Sequence, residues 1–439
     1  MPIAMKLKDW MQVVVTVALV SALAACGGGG GGDSGSSSSG SSGGGSNGQI
    51  SGSLPSSPTQ QPIAATAANT VAITVAHGAT GVINIPAISV TVCAPNSPST
   101  CQTIDNVQVD TGSFGLRIVN SALNSSMQAA LTQNTTTTGA NLAECAGFAD
   151  GFTWGSVRNA IVKVGGETTS ASGVPVQIIG DMTGTPVPSP GCSNGSQEST
   201  VSDLGANGII GIGTALNDCG RNCSDPTLAP TYSNYFGCAN GGSCARTAVA
   251  ATKQVANPVA NFTADNNGVI VQLPPISNSG AASATGTLVF GVGTQSNNAL
   301  TAAQSFTTDG YGNMANSSFN GSKLTAFLDS GSNGYFFNDS SITLCDSNGN
   351  FRGFYCPSTA QTRTVTLVGN NNVQAAVGVG IVSASTLFGN GTSYAFNDLA
   401  GQVGGLSAFD LGLPFFYGRH VYYGYDLSAS GGQAPYVAF

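Results

Sequence analysis

The chain has 439 residues and a formal charge of −8, only 7% of its residues are charged, and 61 are glycine. That acidic balance, with no basic cluster, argues against nucleic acid as a partner and against electrostatic attachment to an acidic membrane surface. The length leaves room for two domains of ordinary size.

The first residues read as an export signal. Lys6 and Lys8 precede an apolar run from Met11 to Ala25. The run is shorter than the ~20 residues a spanning helix needs, so residues 1–25 are expected to be a signal peptide. Its end, "LAAC", resembles the lipobox of bacterial lipoproteins. The resemblance implies cleavage before Cys26 and lipidation of its thiol, so the bilayer becomes a partner through that anchor. Gly27 follows the cysteine, which in such lipoproteins implies the outer membrane, on its periplasmic face or at the cell surface. Residues 26–62 are expected to be a flexible Gly/Ser-rich tether, because glycine and serine bury too little to offset the cost of ordering. Some 35 residues of such coil reach roughly 30–35 Å. Without residues 1–25 the chain keeps 10 basic and 19 acidic residues.

Beyond the tether, short runs rich in β-branched residues recur between Gly, Pro, Asn and Ser. In chain order they are "VAITVA", "GVINIPAISVTVC", "NAIVKVGG", "VPVQIIG", "GVIVQL", "GTLVFG", "RTVTLVG" and "HVYYGYDL". Helical periodicity is best in Ser121–Gln133, a short segment. The expected class is all-β, with an N-terminal lobe over residues 63–255 and a C-terminal lobe over 256–439.

Two stretches repeat one arrangement. In "VQVDTGSFGLRIV" an apolar strand runs into Asp110, Thr111, Gly112 and Ser113; in "TAFLDSGSNGYFF" another runs into Asp329, Ser330, Gly331 and Ser332. Glycine lets the chain turn back after the strand, leaving each carboxylate at a strand end. Thr111 and Ser330 supply hydroxyls, and Ser113 and Ser332 stand where they can bond their own Asp. One copy is explained by an Asx turn; two copies, each after an apolar strand, suggest a working pair of carboxylates. Each half later carries an apolar-apolar-Gly step, Ile209-Ile210-Gly211 and Leu411-Gly412.

Ten cysteines follow Cys26. In an exported protein an even number reads as disulfides. Closeness in sequence suggests Cys93–Cys101, Cys219–Cys223, Cys238–Cys244 and Cys345–Cys356, leaving Cys145 with Cys192. The rival reading makes Cys219, Cys223, Cys238 and Cys244 a zinc site, although their spacing is wider than usual knuckle pairs.

From about residue 70 to the end the chain resembles the pepsin-like aspartic peptidases. The resemblance rests on the two Asp-[Thr/Ser]-Gly triplets, "FTWGSVRNAIVKVGG", "GIIGIG", "GTLVFGVG" and "LGLPFFYGRHVYYGYD" with "APYVAF", in that order. It implies two β-barrel-like lobes with a cleft between them, and Asp110 and Asp329 as a dyad sharing one proton and activating a water against a peptide bond. It also implies a flap hairpin whose aromatic is Trp154, 44 residues after Asp110. An extended peptide or protein is then the substrate; no metal, no cofactor and a monomeric chain are expected. Arg117 stands where the family usually has Trp, and a cation–π contact with Trp154 is the expected replacement. Leu413 stands where the family commonly has an acid after Leu-Gly, which removes one charge near Asp329. The segment 218–246 looks like an insertion, read chiefly as a stapled loop. The competing expectation is a catalytically inactive lipoprotein of the same fold that holds a peptide or protein in its cleft. A serine-hydrolase elbow is absent: the one Gly-x-Ser-x-Gly match starts at Gly40, inside the tether. Sugar-stacking aromatics are scarce, since one of the two tryptophans, Trp10, lies in the signal.

Overall fold

A computed structural model describes residues 52–439 except 96, 150, 190, 191, 193, 194, 240, 241, 348, 350 and 405. The expected signal peptide, the Cys26 anchor and the tether as far as residue 51 lie outside the described residues. Within them the eight strand-like runs all form strands, among them Thr70–Val75, Pro86–Ala94, Gly151–Val164, Val174–Ile179 and Gly268–Leu273. The helical segment is shorter than its periodicity suggests. Asn124 caps Ser125–Ala130 through its side chain, and a 3-10 turn precedes it.

Among the described residues the strands form two sheets, one of 18 strands and one of seven. The larger holds the Asp110 strand, Ser97–Asp110; the smaller holds the Asp329 strand, Ser322–Leu328, and spans Met314 to Leu411. This is the all-β, two-lobed arrangement expected from the sequence, with one carboxylate loop from each lobe. The sheets do not divide at residue 256, however. Thr70–Val75 pairs with Ala284–Phe290, which pairs with Gly268–Leu273, which pairs with the late strand Arg419–Gly424. These strands form a common band joining the lobes, because strands late in the chain bury their apolar faces against early ones.

Each lobe repeats one motif around its carboxylate. Gly208–Ile212 lies parallel to the Asp110 strand and antiparallel to Phe114–Val119, the strand leaving the Asp110 loop. Ala408–Leu411 lies parallel to the Asp329 strand and antiparallel to Tyr335–Phe336. Both central strands are largely buried, as expected of strands covered on both faces; the first is apolar throughout, whereas the second carries Asp410.

The tether reading is corrected for residues 52–62. Gly52 bridges Ala360, Ser53 accepts a bond from the Thr362 hydroxyl, and Leu54 packs against the buried cluster that includes Phe354 and Phe396. Gln60 bonds Gly418 and His420. Backbone pairing holds this stretch to the folded body, which composition could not reveal. All five suggested disulfides are present, so Cys219, Cys223, Cys238 and Cys244 do not form a zinc site.

Candidate active site

The two carboxylate loops meet at the lobe interface and hold each other by mirrored hydrogen bonds. The Thr111 N–H donates to Ser330 Oγ (3.1 Å), and the Ser330 N–H donates to Thr111 Oγ1 (2.8 Å). Each hydroxyl then donates onward to the strand opposite, Thr111 to the Leu328 carbonyl (3.3 Å) and Ser330 to the Val109 carbonyl (2.8 Å). Both hydroxyls are thus satisfied in a buried place where an unpaired one would cost about 1–3 kcal/mol. Gln108 adds a further crossing bond to the Gly331 carbonyl at 2.8 Å.

The glycines of the triplets are required by approach. A Cβ on Gly112 would lie 2.6 Å from Cγ of Asp329, and one on Gly331 would lie 2.5 Å from Oδ1 of Asp110. Each glycine therefore packs against the carboxyl of the other lobe. The Gly112 N–H donates to Asp110 Oδ1 and the Gly331 N–H to Asp329 Oδ1, both at 2.8 Å.

The two halves differ in their serines. Ser332 donates to Asp329 Oδ2 at 2.9 Å. Ser113 lies close enough to Asp110 to counter its rise in pKa, yet its hydroxyl has no partner of ordinary hydrogen-bond geometry. Asp329 thus receives the full set of donors and Asp110 does not. Burial pushes the Asp110 carboxyl up to about 8, and the like charge of Asp329 and a hydrogen bond between the two side chains add to the rise. Asp110 therefore holds its proton to higher pH than an ordinary carboxyl does. A cavity of about 270 Å³ opens beside the loops, lined by Thr111, Gly112 and Phe114 from one side and Tyr311, Phe327 and Leu328 from the other.

A hairpin of the same lobe pairs Asn141–Gly147 with Gly151–Val164. Trp154 lies on its second strand, 2% exposed, with its ring edge-on to Phe236 at 5.6 Å. It packs with Phe152 and the Cys145–Cys192 disulfide. The flap reading of Trp154 is therefore corrected. No ligand can touch that ring without opening the cluster, so it braces the hairpin. Nor does it meet Arg117, whose guanidinium lies over the ring of Phe148 at 5.8 Å. Phe148 is half-buried in the hairpin turn, where its N–H donates to the Gly151 carbonyl. Sequence reasoning missed it. Its signal was its place between Gly147 and Gly151, 38 residues after Asp110.

Arg117 is itself buried, 3% exposed, and pairs with Glu144 at 2.5 Å and Asp218 at 3.5 Å. Burial, then the like charge of Glu144, holds Asp218 well above the usual carboxylate range, and Tyr235 donates to it at 2.6 Å. The insertion does more than close on itself. Its strand Tyr235–Cys238 pairs with the hairpin strand, Tyr235 opposite Glu144, and with Cys244–Arg246.

Residues 65–439 match the model of a family described as "Protein of unknown function (DUF3443)". The chain belongs to that family. No curated protein matches it. Among solved structures it is similar to the crystal structure of an aspartic proteinase from Irpex lacteus, at 14% identity and a TM-score of 0.44. That match covers 85% of this chain and 97% of the other. Among the described residues no group of His, Cys, Asp or Glu is arranged to hold a metal ion.

Proposed function

We propose that this protein is an aspartic-type endopeptidase, cleaving an extended peptide laid between its lobes. The observation that carries the reading is the pair of cross-bonded loops, which bring the glycine of each triplet against the carboxyl of the other lobe, Asp329 or Asp110. Asp329 accepts from Gly331 and Ser332 and is the natural base. It takes a proton from a water as that water attacks the peptide carbonyl, and Asp110 gives its proton to the carbonyl oxygen. Neither a covalent intermediate nor a metal enters the step.

The reading extends to location. "LAAC" and the glycine and serine after it support an outer-membrane lipoprotein anchored through Cys26. Replacing Cys26 with Ser should release the chain from membranes or leave its signal uncleaved; a variant still processed and membrane-bound sinks the anchor.

One observation favours a binding protein of the same fold. The hairpin is fastened by a third strand and by Cys145–Cys192, which limits the opening and closing that turnover uses. Residues 52–439 tested on a mixed peptide library from about pH 3 to about pH 8 separate the two. Cleavage abolished by Asp110→Asn and by Asp329→Asn supports the peptidase. Peptide retained but never cut supports the binding protein.

A further inference from the structure

The strand Ala408–Leu411 occupies, in the second lobe, the place that Gly208–Ile212 occupies in the first. Ile209 stands opposite Gln108 and Ile210 opposite Val109; Asp410 stands opposite Phe327 and Leu411 opposite Leu328. The position that is isoleucine beside Asp110 is thus an aspartate beside Asp329. Asp410 is 5% exposed, and its Oδ1 has no hydrogen-bond partner. No cationic side chain pairs with it among the described residues. The titratable groups acting on it or felt by it are Asp329, Asp110 and the buried Tyr423. The one polar side chain that counters its desolvation is Ser332, the same hydroxyl that donates to Asp329 Oδ2 at 2.9 Å.

The asymmetry of the serines follows this difference. In the first lobe, where the matching strand position is apolar, Ser113 makes no hydrogen bond of ordinary geometry. In the second, the Ser332 hydroxyl donates to Asp329, and Asp410 lies on the neighbouring strand opposite Phe327. An Asp410 carboxyl that keeps its proton can donate its O–H to Ser332 Oγ, and the Ser332 proton then goes to Asp329. We infer that Asp410 is a third carboxyl of the centre, a positioning residue that acts through Ser332 to make Asp329 the base and Asp110 the acid of the pair. The absence of an acid at Leu413 is thereby offset from within the same segment, three residues earlier. Burial, with Asp329 next, holds the Asp410 carboxyl well above its ordinary range, consistent with the neutral form. On ionising, it competes for the Ser332 hydroxyl and places a second like charge beside Asp329.

The catalytic consequence rests on the peptidase reading; the titration does not, so the test reads both. In the full chain carrying carbon-13 at aspartate Cγ, Asp410 is expected to titrate above the ordinary carboxylate range. Its titration is expected to move down in Asp329→Asn, where the like charge is gone. In the cleavage assay Asp410→Leu should lower kcat about tenfold, the worth of one lost hydrogen bond, with KM unchanged. Asp410→Asn keeps a donor toward Ser332 and should restore kcat to within about threefold. If Asp410 titrates as an exposed carboxylate and ignores Asp329→Asn, the inference fails, whether or not any peptide is cut. It fails equally if Asn and Leu lower kcat alike while both variants melt as the wild type does. If nothing is cut but the coupled titration is present, the peptidase reading falls and the three-carboxyl centre stands.

Discussion

At the scale of single residues, the centre depends on contacts too close to survive small changes. Gly112→Ala would put a methyl carbon 2.6 Å from Asp329 Cγ. That forces the loops apart, and cleavage is expected to fall about 10²–10⁴-fold while most of the sheet remains. Circular dichroism beside a cleavage assay checks this; wild-type turnover in the variant would mean that the carboxyls need not touch. Asp110→Asn and Asp329→Asn should lose cleavage about equally, because neither carboxylate can share a proton alone. The triplets were legible in the sequence, since both chemistry and glycine are local there. Asp410 was not, although an acid inside "AFDLGLPFF" is conspicuous. Its relation to Ser332 exists only once the strand lies beside Phe327.

At the scale of elements, the hairpin and the insertion act as one unit. Trp154, buried against Phe236, should destabilise the protein by about 3–5 kcal/mol when changed to Ala. Phe148→Ala should leave the melting temperature close to wild type, since the side chain is half-buried at the turn. Reversal of those two outcomes would mean that Phe148, and not Trp154, braces the hairpin. The disulfides divide by span. Cys145–Cys192 closes 47 residues and Cys219–Cys223 closes four. Loop entropy makes the first worth about 4 kcal/mol and the second about 2. Denaturant melts of the paired Cys→Ala variants should show that order. The pairing of neighbours was readable from spacing, whereas the strand that the insertion lends to the hairpin was not. Tyr235–Cys238 has no long run to mark it, and its partner strand lies about ninety residues earlier.

For the whole molecule the buried carboxyls set the response to pH. Burial pushes Asp110 up to about 8, with Asp329 adding to it, and Asp398 up to about 7. Asp410 and Asp218 are raised as well, burial first in each. Between the ordinary carboxylate value of 3.8 and these raised values, the folded chain holds protons the unfolded chain has released. The stability these groups contribute is fully present below about pH 4 and is lost as pH rises through about 7–8. Asp339 works the other way. Its pair with Arg363 and its bonds from Ser341 hold it low, so its contribution is lost on acidification below the ordinary range. Thermal melts should therefore show a falling Tm from about pH 5 to about pH 8, and Asp110→Asn should flatten part of the slope. A Tm that rises across that window would contradict the buried, protonated centre.

The class of fold, the two carboxylate loops and the five disulfides could be read directly from the chain. Each rests on short-range physics: β-branched runs between turn formers, glycine where a chain must turn sharply, cysteines close enough to meet. The end of the tether, the band of strands joining the lobes, the role of Trp154 and the third carboxyl could not. Those depend on which residues come together across hundreds of positions, as when Gly52 meets Ala360 or Asp410 meets Asp329 through Ser332. A side chain's face is set by register, and register is settled by long-range packing rather than by neighbours in the sequence.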